Sequence, residues 1–433
     1  MSGMSKFQLI LTGVFGAFIV IGVLVFSFAR TNSKVVSNIV VWGTVPQEVF
    51  DSVLYQSAIG KDKTLAIRYI AKNEATFDTD FIEALASGTG PDAVMLSQEG
   101  ILKNRTKLFA IPYASYPERN FKDTFIEEAE LFLTPGGVIA VPAFVDPLVM
   151  YWNRDIFNNA SLPKPPAFWD EFYDLSQKLT TKDGALNITK ATVAFGGWKN
   201  VSNSKAIVSA LLMQAGSPIV SLSGSQAVAA LTLQSDAPVL PANAALTFYS
   251  EFSNPAKPFY SWNPSLPNSQ AMFVSGDLAT YMGFASEINS LRLKNPNLNF
   301  DVVTLPQSRG ATNKITFGRM HAFAIVKASK NIPATFSAIN GLVASDSVLG
   351  FQNALRVPPA RRDLLSQVPN DPYSAIFFNS ALWSRGWLDL NQKGTDAIFQ
   401  KLIESITSGR ARLEVAVGSA QGELQNLLQK EQQ

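Results

Sequence analysis

The chain has 433 residues, of which 47% are hydrophobic and only 16% charged, and its formal net charge is +2. That length allows two or three sizeable cores, and so even a charge balance argues against a nucleic-acid binder, which concentrates basic residues on one face. The absence of cysteine excludes disulfides, thiolate nucleophiles, iron–sulfur clusters and cysteine-based zinc sites.

Residues 7–29 form an apolar run in which Gln8, Thr12 and Ser27 are the notable polar positions. As a helix, a run of that length rises about 35 Å, enough to cross a bilayer core. A cleaved signal peptide has a shorter apolar region and a small-x-small cleavage site, whereas this run ends Phe26-Ser27-Phe28-Ala29-Arg30. The expectation is an uncleaved transmembrane anchor at 7–29 and a tether at 30–37. A soluble domain follows.

Asn38-Ile39-Val40-Val41-Trp42 reads as a buried first strand that ends in a turn at Gly43. Val49, Val53 and Leu54 recur at helical spacing, and Leu65, Ile67 and Tyr69 alternate as in a second strand. A helix from Phe77 stops near Gly88, and Gly90-Pro91-Asp92 leads into the apolar strand Ala93-Val94-Met95-Leu96. Strand, helix, strand, helix, strand predicts a parallel sheet, with ligands beyond the carboxyl ends of its strands.

Residues 138–157 are nearly all apolar, interrupted by Pro142 and Pro147, with the polar groups concentrated around Asp146, Asn153 and Arg154. Each proline removes a ladder donor, so the segment reads as a strand that leaves one sheet and enters another, a hinge between lobes. Phe168, Phe172, Leu175 and Leu179 line one helical face. Residues 191–196 read as a strand, 206–215 as a core helix, 217–245 as an irregular excursion and 242–252 as a helix. A helix from Gln270, a turn at Gly276-Asp277 and a strand to Gly283 follow. Strands are expected at 300–305 and 317–326, helices at 335–344 and 348–355, and helical sequence from the break at Pro358 to the end.

Enzyme signatures are sparse. His321 is the one histidine and sits in an apolar strand, where a structural role fits best; one histidine without cysteine builds no typical zinc site. No phosphate-binding glycine loop, dinucleotide fingerprint or nucleophile elbow occurs. Asp146 with a second carboxylate would satisfy a glycoside hydrolase on composition alone, but no pair stands out. Trp42, Trp152, Trp198, Trp262, Trp383 and Trp387 fall mostly at element ends. Aromatic faces with Asp, Asn and Arg nearby make a concave small-molecule site.

Several motifs in order resemble the carbohydrate-binding group of extracellular solute-binding proteins, similar to the maltose and glycerol-phosphate receptors of ABC importers. They are Ile39-Val-Val-Trp42, Ala86-Ser-Gly-Thr-Gly-Pro-Asp92, Ile139-Ala-Val-Pro142, Tyr151-Trp-Asn-Arg-Asp-Ile-Phe157 and Pro165-Pro-Ala-Phe-Trp169. Gly276-Asp-Leu-Ala-Thr-Tyr-Met-Gly283 and the run from Gly318 to Lys330 complete the set. The resemblance implies an α/β, two-lobed periplasmic-binding-protein-like fold (type II), with hinge crossovers near Phe144, Phe317 and Pro358, preceded here by the N-terminal transmembrane helix. Lobe 1 would be 38–144 plus 319–357 and lobe 2 145–318 plus 358–433.

The implied function is capture of a sugar or oligosaccharide by hinge closure and delivery to the permease subunits of an ABC importer, without catalysis, cofactor, metal or nucleic acid. A carbohydrate-sensing or adhesion module and a glycoside hydrolase stand as alternatives. Ligand contacts implied by the resemblance are Trp42, Thr44, Ser97, Gln98, Asp146, Trp198, Tyr281, Phe284, Arg319, Trp383 and Trp387. The implied location is the cell membrane, with a single-pass anchor and the soluble domain outside the cytoplasm.

Overall fold

The computed structural model describes residues 36–224, 226–234, 239–367 and 369–432. The expected span at 7–29 lies outside the described residues; among the described residues no helix is long and apolar enough to cross a membrane.

The first lobe starts as the alternation of strands and helices predicts. Strand β1 (Ser37–Gly43), helix α1 (Gln47–Gln56), strand β2 (Leu65–Ala71), helix α2 (Phe77–Ala86), strand β3 (Ala93–Ser97) and helix α3 (Gln98–Asn104) follow in order. Both β2 and β3 pair with β1 in parallel. Asp92 of the Gly-Pro-Asp motif clips this sheet together. Its carboxylate accepts from the Val40 amide at 3.0 Å and the Ser329 hydroxyl at 2.7 Å, and its own amide donates to the Val40 carbonyl. Phe50 on α1 stacks on Tyr69 of β2 at 4.0 Å and meets Phe351 edge-on at 5.6 Å. Each such fully buried ring stabilises the lobe by roughly 1.5–3 kcal/mol.

The long strand β4 (Val141–Asn153) is buried at every residue. Helix α4 (Ser204–Gln214), helix α5 (Pro241–Glu251), strand β5 (Thr280–Phe284), helix α6 (Glu287–Lys294), strand β6 (Phe300–Thr304) and strand β7 (Thr316–Ile325) come next. Helices α7 (Gln392–Thr407) and α8 (Leu413–Glu431) lie near the end of the chain. The main sheet runs β5-β4-β7-β3-β1-β2, with β6 also on β4. Residues 141–147 of β4 pair with β7, and residues 148–153 pair with β5 and β6. Pro147 stands at that exchange of partners, where a missing amide costs least. The segment around Pro358 runs beside the same strand: the Val145 amide donates to the Pro358 carbonyl and the Ala360 amide to the Ala143 carbonyl. Two α/β lobes thus share one buried crossing.

Three expectations need correction. Residues 191–196 are not a regular strand. The Ala191 and Thr192 carbonyls accept from the Ala279 and Thr280 amides, but the Thr192 and Val193 amides are taken by the Ser261 hydroxyl rather than by a neighbouring strand. The stretch 217–245 is not wholly irregular, since Val220–Ser223 and Gln226–Ala229 form an antiparallel hairpin. Its outer edge is met by glutamines of α8 and the residue beyond it. Ala227, Ala229 and Leu231 amides donate to Gln432, Gln425 and Gln421, and the Gln421 and Gln432 side chains donate back to the Ala229 and Ala227 carbonyls. A helix therefore acts as the missing strand, a relation no local periodicity reveals. Finally, helical sequence after Pro358 is broken by an extended stretch between Trp383 and Asn391.

Gln421→Ala removes two of these five bonds at one position, so it should cost about 1–2 kcal/mol in denaturant unfolding. Amide exchange should rise at Leu231 and Thr232, whose amides donate to Gln421, while β1 to β3 keep their protection; unchanged exchange there would show that Gln421 does not hold the hairpin.

Candidate functional site

Where the lobes face each other, two neighbouring cavities lie along the crossing. The first is bounded by Thr44, Glu74, Asp78, Ser97, Glu99 and Lys103 from the β1–α3 segment and by Gln392 and Lys393 at the start of α7. The second is bounded by Gln98, Glu99, Asn203, Lys205, Phe284, Phe317, Arg319, Trp387, Asp389 and Gln392. Glu99 and Gln392 line both, so the two cavities read as halves of one cleft. It lies at the carboxyl end of β3, as expected for a parallel sheet. A roomier cavity of about 380 Å³ between Trp169, Tyr173 and Phe248 lies off this cleft, and the convergent polar groups belong to the cleft.

Of the residues expected from sequence, Thr44, Ser97, Gln98, Phe284, Arg319 and Trp387 line the cleft. Gln98 is buried, donates to the Gly318 carbonyl at 3.2 Å and accepts from the Met320 amide at 3.4 Å. The Arg319 guanidinium lies 4.0 Å from the centre of the Phe284 ring. Trp387 is 4% exposed, anchored by its indole nitrogen to Ser209 at 3.0 Å and backed by Phe399 at 5.9 Å.

Trp42, Asp146, Trp198, Tyr281 and Trp383 bound neither cavity. Trp42 is buried under the Lys72 ammonium, 3.9 Å from its ring centre. Trp198 packs edge-on against Phe399, and Trp383 is half-buried beside Lys314. Asp146 pairs in register with Arg319 and is 4% exposed; its oxygens accept from the Ser286 amide at 3.0 Å and hydroxyl at 2.6 Å.

Several cleft residues escape sequence reasoning. Asn203 takes a left-handed backbone, φ 60°, a conformation asparagine tolerates better than most residues. Its side-chain amide donates at 2.8 Å to Glu287, which also accepts from the Phe284 amide, the Tyr281 hydroxyl and Gln270. Glu287 is thus saturated and fixes Phe284 and Asn203 on the cavity wall. Opposite, the Lys205 ammonium pairs with Asp389 and donates to Thr395 at 2.6 Å and the Gln392 carbonyl at 3.1 Å. Four chain segments would have to be placed in space before these groups could be seen to converge. The one local hint is asparagine directly before a helix.

Burial sets the electrostatics beneath the cleft. It pushes the Asp146 carboxyl up to about 6, against the opposing pull of Arg319 and the Ser286 hydrogen bonds. Glu128, 2% exposed, has no hydrogen-bond partner on either oxygen among the described residues. Desolvation holds its carboxyl well above the usual range, helped by the nearby Glu99, so it is buried as a neutral acid. It packs against Gly318 on β7, where a Cβ would collide with it. Glu99 itself is 7% exposed and one of its oxygens, Oε2, has no partner among the described residues. His321 lies stacked on Phe144 at 4.8 Å, and burial with Arg319 nearby lowers its pKa to about 3.

The profile of the bacterial extracellular solute-binding protein family matches residues 65–346. Relatives in Brucella abortus (strain 2308) and Brucella suis biovar 1 (strain 1330), both carrying a binding-protein name, are 29% identical over 104 residues, 23% of this chain. The match spans 25% of the length of those relatives. Among solved structures, a cyclo/maltodextrin-binding protein complexed with maltotetraose superposes with a TM-score of 0.74 at 15% identity, over 90% of this chain and 97% of that one. A cyclic α-maltosyl-1,6-maltose binding protein from Arthrobacter globiformis gives 0.75 at 14% identity, over 91% and 100%. CpMnBP1 with mannotriose bound gives 0.66 at 20% identity, over 89% and 99%. At these identities the likeness shows the two-lobed fold.

The raised carboxyl of Glu128 has a definite thermodynamic sign. Its contribution is fully present below the unfolded-state value near 4 and is lost as pH rises from there toward the folded value. Asp146 acts the same way, with its loss centred between about 4 and about 6. Glu128→Gln should therefore gain on wild type in melting temperature as pH rises from 4 to 8. Parallel melting profiles for the two proteins would contradict a neutral Glu128.

Proposed function

The chain belongs to the bacterial extracellular solute-binding protein family, and from that premise we propose that it captures a sugar or short oligosaccharide in the cleft for an ABC importer. Cavity two carries this reading. It combines the Trp387 and Phe284 rings with Gln98, Glu99, Asn203 and Arg319. Rings cover the apolar C–H face of a sugar, while the amides, carboxylate and guanidinium match its hydroxyls. Cavity one, rich in charged and polar side chains, continues the path, which suits a ligand longer than one ring. The oligosaccharides named with the structural neighbours support the same class.

Capture works by differential affinity. Residues 38–144 with 319–357 form one moving body, and 145–318 with 358–433 the other. A ligand touching Glu99 and Gln98 on one side and Trp387, Asn203 and Gln392 on the other stabilises the arrangement in which both sides meet. The Trp42, Asp146, Trp198, Tyr281 and Trp383 positions would act as framework or as contacts reached with the lobes apart. Residues 7–29 would anchor the chain in the membrane with the binding lobes outside the cytoplasm. The permease subunits would receive the loaded form. Family membership supports binding rather than catalysis.

With maltotetraose or mannotriose at about 100 times its dissociation constant, linkage adds ~2.7 kcal/mol of stability, readable as a rise in melting temperature. Trp387→Ala should weaken that ligand's binding about tenfold or more in calorimetry, with the ligand-free fold retained by circular dichroism. A flat response across sugars, polyols and sugar phosphates would remove the sugar reading.

A further inference from the structure

A polar chain links the two lobes beside the cleft, outside the residues that line it. Arg105 lies in the turn directly after α3, the helix whose Glu99 and Lys103 form one cleft wall. Its guanidinium donates through Nη2 to the Glu431 carbonyl at 2.7 Å, and through Nη1 to the Leu102 carbonyl at 3.2 Å. Glu431 ends α8, so the cation meets the negative end of a helix. The Glu431 carboxylate in turn accepts from the Asn391 side-chain amide at 2.7 Å. Asn391 caps α7 by accepting from the Gly394 amide at 2.9 Å, and directly precedes Gln392 and Lys393 of the opposite cleft wall. Its carbonyl accepts from Thr395, which also bonds Asp389.

We propose that Arg105 is a positioning residue for ligand capture, clamping the wall built on α3 to the wall built on α7 through Glu431 and Asn391. The clamp joins the same two walls that a ligand would bridge, so it biases the lobes toward the meeting arrangement before the ligand contributes. The partial burial of the guanidinium, with Glu431 opposing the desolvation, fits a contact made in that arrangement. The inference rests on the lobes moving as proposed, and not on which solute they hold.

The chain has no cysteine, so a single engineered pair can report the distance between lobes. Ile82→Cys and Val415→Cys, at positions 51% and 64% exposed, place one spin label on each lobe of the full chain in detergent. Without ligand, Arg105→Ala should shift the distance distribution and lower the population of the meeting arrangement about tenfold. Arg105→Lys should fall between the two. Superimposable distributions for wild type and Arg105→Ala would overturn the clamp. If Arg105→Ala does not fold, Arg105→Gln decides by the same reading. Maltotetraose binding gives a second measure, with the dissociation constant raised up to about tenfold in Arg105→Ala. Failure of wild type to bind maltotetraose would bear on the sugar reading alone, since the label distances need no ligand.

Discussion

One strand must be buried along its whole length while serving two sheets, and the rest of the molecule accommodates that demand. Strand β4 exchanges partners at Pro147, where no amide is available to either ladder. There the ladder to β7 ends and the ladders to β5 and β6 begin. Across from it, Gly318 and Arg319 on β7 pair with Pro147 and Asp146. Side chains alternate along a strand. Gly318 thus admits Glu128 on one side, and Arg319 reaches the Phe284 ring and the cleft on the other.

Much of this was legible in the sequence, because it depended on local pattern. The first strands, the helix from Phe77 and the stop at Gly88, with φ 70°, followed from alternation, helical spacing and the need for a left-handed residue. The change of partners along β4 followed from two prolines in an apolar run. The likeness of ordered motifs to a binding-protein family supplied the two-lobed arrangement and most of the cleft positions on β3, β5 and β7.

What was not legible depended on distance. The hairpin at Val220–Ser223 and Gln226–Ala229 was invisible because its outer edge is completed by glutamines nearly two hundred residues later. Residues 191–196 carry strand-like composition, yet one serine hydroxyl at position 261 takes two of their amides. In the same way Lys205, Asp389 and Thr395 are unremarkable in sequence and become a wall only when α4 and α7 meet. Asp146 drew attention as a lone charge in an apolar run. At the crossing it is buried, held by the Ser286 amide and hydroxyl and opposite Arg319.

The hydrogen-bond accounting of the cleft decides where a ligand can gain most. Glu287 has both oxygens occupied twice over, and Asp389 is taken by Lys205 and Thr395. A ligand gains little from acceptors already satisfied, because it would exchange one good bond for another. Glu99 differs, since Oε2 is buried and bare. Arg319 differs too: among the described residues its guanidinium faces a ring rather than an acceptor. One offers an unspent acceptor and the other unspent donors, and both line the cavity that holds Trp387. On the proposed reading, a polyhydroxylated ring would donate to the first and accept from the second while its apolar face covers the indole. The groups left unsatisfied by folding therefore describe the ligand more closely than those that folding has already employed.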